Sequence, residues 1–431
     1  MNAKNFSRPA TRGLSVYELG WVDLSIEHRL QVIGGMCLVD GVIDKELILD
    51  RIGQFTTWNP QYRSRLIAKH RASWQEDESF SLDRHIRKCS DRFDSSREIL
   101  EYIASNSTQG FPDEHSPWIV NLFQPPESIT DGRTAIAFMA HHSLTDGLGA
   151  SRLFKAMLDS KDSLSQLDDG QVDGHSGLRS SNESKSRIKF AWELLKDFSK
   201  TRRRDPFTGQ SSPVRTVLEF NWCRSRLNQA RKRINASLQE LILQMITRAL
   251  QLYCQRFGQA FDLRAIVPMA DGVMTKDQSL IGGHDIGYLD LPLSQKTTEQ
   301  QLDVIRRGVA RLRQRQIDQD FARLSRILER LPVFVRHRAA HRWSANANLL
   351  ITLIPGGPLR PTIGGHEVTA IYGLPAVPPG QALAIGVVIS RKWVHVSWIV
   401  DPQLVRDYDQ LESDIDLTFD EMVSSGESRQ F

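Results

Sequence analysis

Cysteine is scarce in this 431-residue chain: Cys37, Cys89, Cys223 and Cys254 are the only four, and they lie far apart. They form neither a CxxC pair nor a zinc spacing, which excludes a disulfide framework and a structural zinc module. Free, mostly buried thiols in a reducing compartment are the expectation. No apolar run approaches the roughly 18 residues that span a bilayer. The polar, basic first residues, Met1 to Gly13, lack the apolar core of a secretory signal. Charge of one sign is lacking too: 55 Lys and Arg stand against 51 Asp and Glu, a formal net charge of +4. That mild excess does not by itself argue for nucleic acid and no nucleic-acid-binding motif stands out, so no nucleic-acid partner is expected. These absences leave a cytoplasmic protein, at most peripheral to a membrane, and long enough for two domains.

What is present alternates between strand and helix signals. In a first α/β unit, Val32 to Val39 reads as a strand, with a helix opening at Ile43-Asp44 and running to Trp58. Phe80 to Arg87 reads as extended, Ser96 to Gly110 as helical, and Trp118 to Phe123 and Arg133 to Ala140 as strands. From Ser163 to Ser184 large apolar residues nearly vanish, as in a linker. Residues 186–204 then read as a basic amphipathic helix in which Ile188, Trp192 and Leu195 would share a face with Ser199. Such a helix suits either an anionic lipid surface or a bridge packed on the protein body. In a second α/β unit, Thr216 to Trp222, Leu263 to Met269, Leu349 to Ile354, Val368 to Tyr372, Leu383 to Ser390 and Val394 to Asp401 read as strands. Helices are expected over Asn235 to Phe257, across the arginine-rich 298–343 and from Pro402 onward. The domain expectation is a first lobe over 1–160, a linker over 161–212 and a second lobe over 213–431.

The most informative stretch is His141-His142-Ser143-Leu144-Thr145-Asp146-Gly147. It stands between the alternating strand Thr134 to Ala140 and the helix-periodic Leu148 to Leu158, so two imidazoles sit at a strand end before a sharp loop. Histidine is the side chain best suited to take and return a proton near neutral pH. A zinc site is disfavoured because no second cluster supplies the remaining ligands, and His284-Asp285 is too isolated. A serine-hydrolase triad is disfavoured because no GxSxG elbow occurs.

The HHxxxDG motif and its flanks resemble the CoA-dependent acyltransferase superfamily, and most closely its bacterial wax ester synthase/diacylglycerol acyltransferases. The supporting segments fall in that family's order over most of the chain. Before the motif they are Leu14-Ser15, Arg63-Ser64-Arg65-Leu66 with Trp74, Phe80-Ser81-Leu82-Asp83-Arg84-His85-Ile86 and Ser116-Pro117-Trp118. After it come Arg264 to Met269, Pro378-Pro379-Gly380-Gln381-Ala382-Leu383 and Trp398-Ile399-Val400-Asp401. The chain departs from the pattern at Gln239-Glu240, where relatives carry Asn-Asp, near Gly272, where they carry arginine, and at Leu353 to Pro358, where they carry Asn-Val-Pro-Gly-Pro.

The resemblance implies an α/β fold of two chloramphenicol-acetyltransferase-like lobes with a central tunnel. It implies acyl transfer from acyl-CoA, as co-substrate with no bound cofactor and no metal, to an alcohol or diacylglycerol hydroxyl. His142 would be the general base and His141 structural. Asp146 would orient the loop through an ion pair, with Arg264 as the candidate partner. Gly147 would allow close backbone approach and offer its N–H to the oxyanion. Residues 186–204 would touch a membrane or lipid droplet. Three alternatives stay open at this level. One is specialised-metabolite acylation or condensation with an acyl carrier protein as donor or an amine as acceptor. Another is thioester hydrolysis, and the last is an inactive lipid- or protein-binding relative.

Overall fold

The computed structural model describes residues 11–26, 29–67, 72–125, 132–159, 206–207, 210–258, 261–270, 284–314, 332–355 and 360–424. The expected basic helix over 186–204 and the region near Gly272 lie outside them. The strands in chain order are β1 (Thr11–Gly13), β2 (Val32–Asp40), β3 (Ser64–Ile67), β4 (Ser73–Glu76), β5 (Ile86–Cys89), β6 (Trp118–Phe123) and β7 (Arg133–His141). The second half adds β8 (Thr216–Cys223), β9 (Leu263–Ala270), β10 (His284–Leu291), β11 (Leu349–Pro355), β12 (Thr362–Ile363), β13 (His366–Leu374), β14 (Leu383–Ile389) and β15 (Trp393–Val400).

Two six-stranded sheets dominate, in the orders β12-β13-β2-β7-β6-β5 and β10-β9-β11-β14-β15-β8. Their facing sides share one core, in which Met36, Ala137 and Tyr372 of the first sheet meet Val217, Ile266, Leu350, Ala384 and Ile399 of the second. The outer side of the first sheet is covered by the Lys45–Trp58 and Gly147–Ala156 helices through Ile48, Ile52 and Leu153. The outer side of the second sheet is covered by the Leu238–Arg256 and Tyr408–Ser424 helices, which bury Leu241, Met245, Leu411 and Ile415.

The two sheets exchange part of the chain. Strands β12 and β13, which the sequence places in the second lobe, pair into the first sheet, with Tyr372 opposite Met36 and Gly373 opposite Gly35. The crossing is tight. A Cβ on Gly386 of β14 would stand 2.4 Å from the Gly373 carbonyl oxygen, so only glycine lets the two sheets meet there. Ser397 Oγ–H donates to that same oxygen.

A second tie is electrostatic. Asp401, wholly buried, lies 3.6 Å from both Arg29 and Arg215, each about 95% buried or more. Ser211 Oγ–H and the Ser212 N–H donate to the same carboxylate at 2.9 and 3.0 Å. Arg29 also donates to the Pro378 carbonyl at 2.9 Å and to that of Gln381. Burial first, then repulsion from Arg215, pulls the Arg29 pKa down to about 10 against the pull of Asp401, so the guanidinium stays charged.

Several local expectations need correction. Phe80 to Arg87 is not extended throughout, because Leu82–His85 makes one helical turn before β5. The long helix starts at Leu238 rather than Asn235: Asn235 adopts φ +50, and Ser237 and Glu240 close a reciprocal capping box. Pro402 opens a turn and the last helix begins only at Tyr408. Of the thiols, Cys37 and Cys254 are buried, while Cys89 and Cys223 are half-exposed.

Replacing Asp401 with asparagine leaves two buried guanidinium groups without their counter-charge. We expect Asp401→Asn to lose about 3–5 kcal/mol in urea unfolding; a loss under about 1 kcal/mol would show that the cluster is dispensable.

Candidate active site

The His motif lies where β7 ends and the Gly147–Ala156 helix begins. Adjacent side chains at a strand end point to opposite sides, and the two histidines part accordingly. His141 is buried. The Ser143 N–H donates to its Nδ1 at 3.2 Å, so Nδ1 is the acceptor and Nε2 carries the hydrogen. That Nε2–H reaches Ser25 Oγ at 3.0 Å, and Ser25 in turn donates to the Trp21 carbonyl at 3.0 Å. Desolvation, with a smaller push from His142, drops the His141 pKa to about 3 and keeps the ring neutral.

His142 lines a cavity bordered by residues of both sheets and by the Gly147–Ala156 helix. Its ring stacks on the Trp21 indole with centroids 3.7 Å apart and planes 8° from parallel. Its backbone N–H donates to the Gln31 carbonyl at 2.6 Å, and Gln31 is tied to the Arg29 carbonyl through its side-chain amide at 2.9 Å. Trp21, Ser25, Gln31 and Arg29 were missed in the sequence because each acts on the motif from more than a hundred residues away. The family-like Leu14-Ser15 was the available signal. Ser15 caps the Val16–Leu24 helix that carries Trp21, in a capping box with Glu18.

Asp146 is the N-cap of the Gly147–Ala156 helix, and its carboxylate accepts the Gly149 N–H at 2.8 Å. Arg264 is not its partner: that guanidinium pairs with Asp290 at 2.9 Å. Gly147 lines the cavity, and a Cβ there would be in ordinary contact with Ile354 Cδ1 at 3.5 Å. The cavity is about 150 Å³ and mostly apolar, with Met36, Phe138, Leu350, Ile354 and Tyr372 among its walls. Among the described residues no group of three or more His, Cys, Asp or Glu is placed to hold a metal ion. Nor is any described helix long and apolar enough to cross a membrane.

The altered segments sort differently. Gln239 and Glu240 stand outside the cavity: Gln239 Oε1 accepts from Arg313 at 2.9 Å and Glu240 completes the helix cap. Leu353 and Ile354 of the altered turn do face the cavity, while residues 356–359 lie outside the described set.

The chain matches the wax ester synthase/diacylglycerol acyltransferase catalytic domain over residues 45–236 and the WS/DGAT C-terminal domain over residues 283–423. It belongs to the wax ester synthase/diacylglycerol acyltransferase family. The O-acyltransferase WSD of Acinetobacter baylyi is 23% identical over 417 residues, covering 86% of this chain and 88% of that protein. Among solved structures, the wax ester synthase/diacylglycerol acyltransferase from Marinobacter aquaeolei superposes with a TM-score of 0.66 at 18% identity, covering 96% of this chain and 100% of that one. The TRI3 trichothecene 15-O-acetyltransferase from Fusarium sporotrichioides gives 0.68 at 11% identity, covering 97% of each chain. The first condensation domain of the calcium-dependent antibiotic synthetase gives 0.60 at 14% identity, again over 97% of each chain. At these identities the structural likenesses establish the two-lobe α/β fold. The family matches make the protein an O-acyltransferase of the acyl-CoA to alcohol or diacylglycerol type.

Acid should unfold this site in a defined window. The ordinary histidine pKa is about 6.5; burial lowers that of His141 to about 3 and that of His395 to about 4. Below pH 6.5 the unfolded chain takes up protons that the folded rings refuse, so stability falls with falling pH, by at most about 1.4 kcal/mol per unit for each ring. Melting scans from pH 7 to 4 should therefore slope less steeply for His141→Gln than for the parent. An unchanged slope would mean that His141 titrates normally in the fold.

Proposed function

We propose that His142 is the general base of this acyltransferase and that the cavity it lines holds the acyl chain and the acceptor hydroxyl against it. The observation that carries this reading is the position of His142: among the described residues it is the one imidazole on the wall of a largely apolar cavity, and its ring stacks on Trp21. As the acceptor oxygen attacks the thioester carbonyl, its proton passes to His142. Collapse of the tetrahedral intermediate breaks the carbon–sulfur bond, and the imidazolium returns the proton to the departing CoA thiolate. Such proton transfer is worth about 10²–10⁴-fold, so alignment of two substrates in one cavity supplies much of the remaining acceleration.

Gly147 N–H belongs to the first turn of a helix, where N–H groups have no intrahelical acceptor, and the helix dipole favours negative charge there. It is our candidate donor to the oxyanion, and the absent side chain leaves room for substrate. Asp146 serves by fixing that helix end. A long acyl chain drawn from a lipid surface suits the Val333–Ser344 helix. Phe334 on it is 73% exposed beside Arg338 and Arg342, while Trp343 of the same helix lines the cavity.

Purified protein given palmitoyl-CoA with hexadecanol or diolein should release CoA and form the ester. His142→Ala should reduce this at least about 10²-fold with an unchanged melting temperature; full activity in that variant would remove His142 from the mechanism. Asp146→Ala should lose about 1 kcal/mol of stability together with activity. A purely kinetic loss, with melting unaltered, would argue that Asp146 acts on substrate and not through the helix end.

A further inference from the structure

The cavity is not apolar throughout. Gly147, Ser151 and Lys155 follow one another at four-residue spacing, so they share one face of the Gly147–Ala156 helix, and all three line the cavity. Lys155 is 5% exposed. The cavity lining it shares, which includes Cys37, Phe138 and Ile371, contains no carboxylate among the described residues. Among the described residues no carboxylate, carbonyl or hydroxyl pairs with Lys155. The nearest charge that acts on it is Arg152, of the same sign.

A lysine is rarely buried unless paired, because desolvating an ammonium without a counter-charge is costly. Burial first, then repulsion from Arg152, lowers the Lys155 pKa to about 8, which leaves it mostly protonated at neutral pH. A methionine at this place would fill similar space without that cost. The cation is therefore retained against the preference of its surroundings, in the cavity where the substrate chain lies. Along the helix axis it is about 12 Å beyond Gly147, at roughly 1.5 Å per residue, which is the reach of a medium-length aliphatic chain whose reacting end is at His142.

Resting on the acyl-transfer reading above, we propose that Lys155 is a specificity-determining residue that receives a carboxylate at the far end of the substrate chain. The chain bound in this cavity is then an aliphatic chain with an anionic terminus. Either substrate could bring that chemistry, as an ω-carboxyacyl thioester or as an ω-hydroxy acid acting as acceptor.

The test runs both arms on the parent protein and on Lys155→Met. In the donor arm, ω-carboxydecanoyl-CoA competes with undecanoyl-CoA for a common alcohol. In the acceptor arm, 10-hydroxydecanoic acid competes with decanol for a common acyl-CoA. We expect at least a tenfold preference in kcat/KM for the carboxylate-bearing partner in one arm. Lys155→Met should abolish it while turnover of the methyl-ended partner holds or rises, and Lys155→Arg should restore part of it. Absence of preference in both arms, or a preference that survives in Lys155→Met, overturns the assignment. Binding of the same four compounds by calorimetry carries the same comparison when turnover is absent. Failure of every substrate to react speaks against the acyl-transfer reading, whereas loss of the carboxylate preference alone speaks against Lys155.

Discussion

One buried carboxylate, Asp401, holds two arginines that stand ahead of strands in different sheets. Arg215 precedes β8 in the second sheet, and Arg29 precedes β2 in the first. Because Arg29 also binds the carbonyls of Pro378 and Gln381, this cluster fixes the chain just ahead of β2 against the turn that follows β13. Burying three charges returns little net stability. What it provides here is register. Gln31 is tied to the Arg29 carbonyl, and the Gln31 carbonyl receives the backbone N–H of His142. Ser25, a few residues earlier, receives His141 and grips the end of the helix that presents Trp21. The imidazole that faces the cavity is thus set by a charge cluster remote from the chemistry.

The doubled histidine has a simple reading in this light. Two identical side chains at one strand end are driven to opposite surroundings by the pleat, one into the protein and one toward the cavity. His141 has both ring nitrogens engaged and is kept neutral by desolvation. It is a rigid, uncharged spacer between Ser143 and Ser25. His142 has one flat face covered by an indole, which limits its rotation without charging it. Residue type cannot distinguish the pair; position along the strand does.

This difference marks how far the sequence could be read. The alternation of β7 and the 3.6-residue period after Gly147 are local signals, so the strand–loop–helix around the motif was legible. The capping role of Asp146 was not, because an aspartate before a glycine reads equally well as an ion-pair partner. Strand β13 shows an ordinary strand pattern, but nothing local states which sheet it joins; Gly386 of β14 permits the close approach to the Gly373 carbonyl that a Cβ on residue 386 would block. Several segments that carried the family likeness prove to be braces. His85 Nδ1–H donates to the Trp118 carbonyl at 2.7 Å, the Trp118 indole donates to Tyr62 at 2.8 Å, and Trp74 donates to Glu18 at 3.1 Å. Their pattern was readable and their partners were not, since each partner is distant in sequence.

The departures from the family pattern bear on substrate choice only where they reach the cavity. Gln239-Glu240 spends its polar groups on a helix cap and a surface arginine, so it leaves the reacting chain untouched. Leu353 and Ile354 do form wall, opposite the helix that starts at Gly147. That helix divides the labour along its own axis. Its first turn, capped by Asp146, lines the cavity at Gly147, where the dipole and the N–H groups favour negative charge. Its last turn lines the same cavity at Lys155, a buried cation in a largely apolar wall. Under the proposed roles, a single rigid element couples acyl-transfer chemistry at its first turn to selectivity at its last, and the two can change independently because they sit two turns apart.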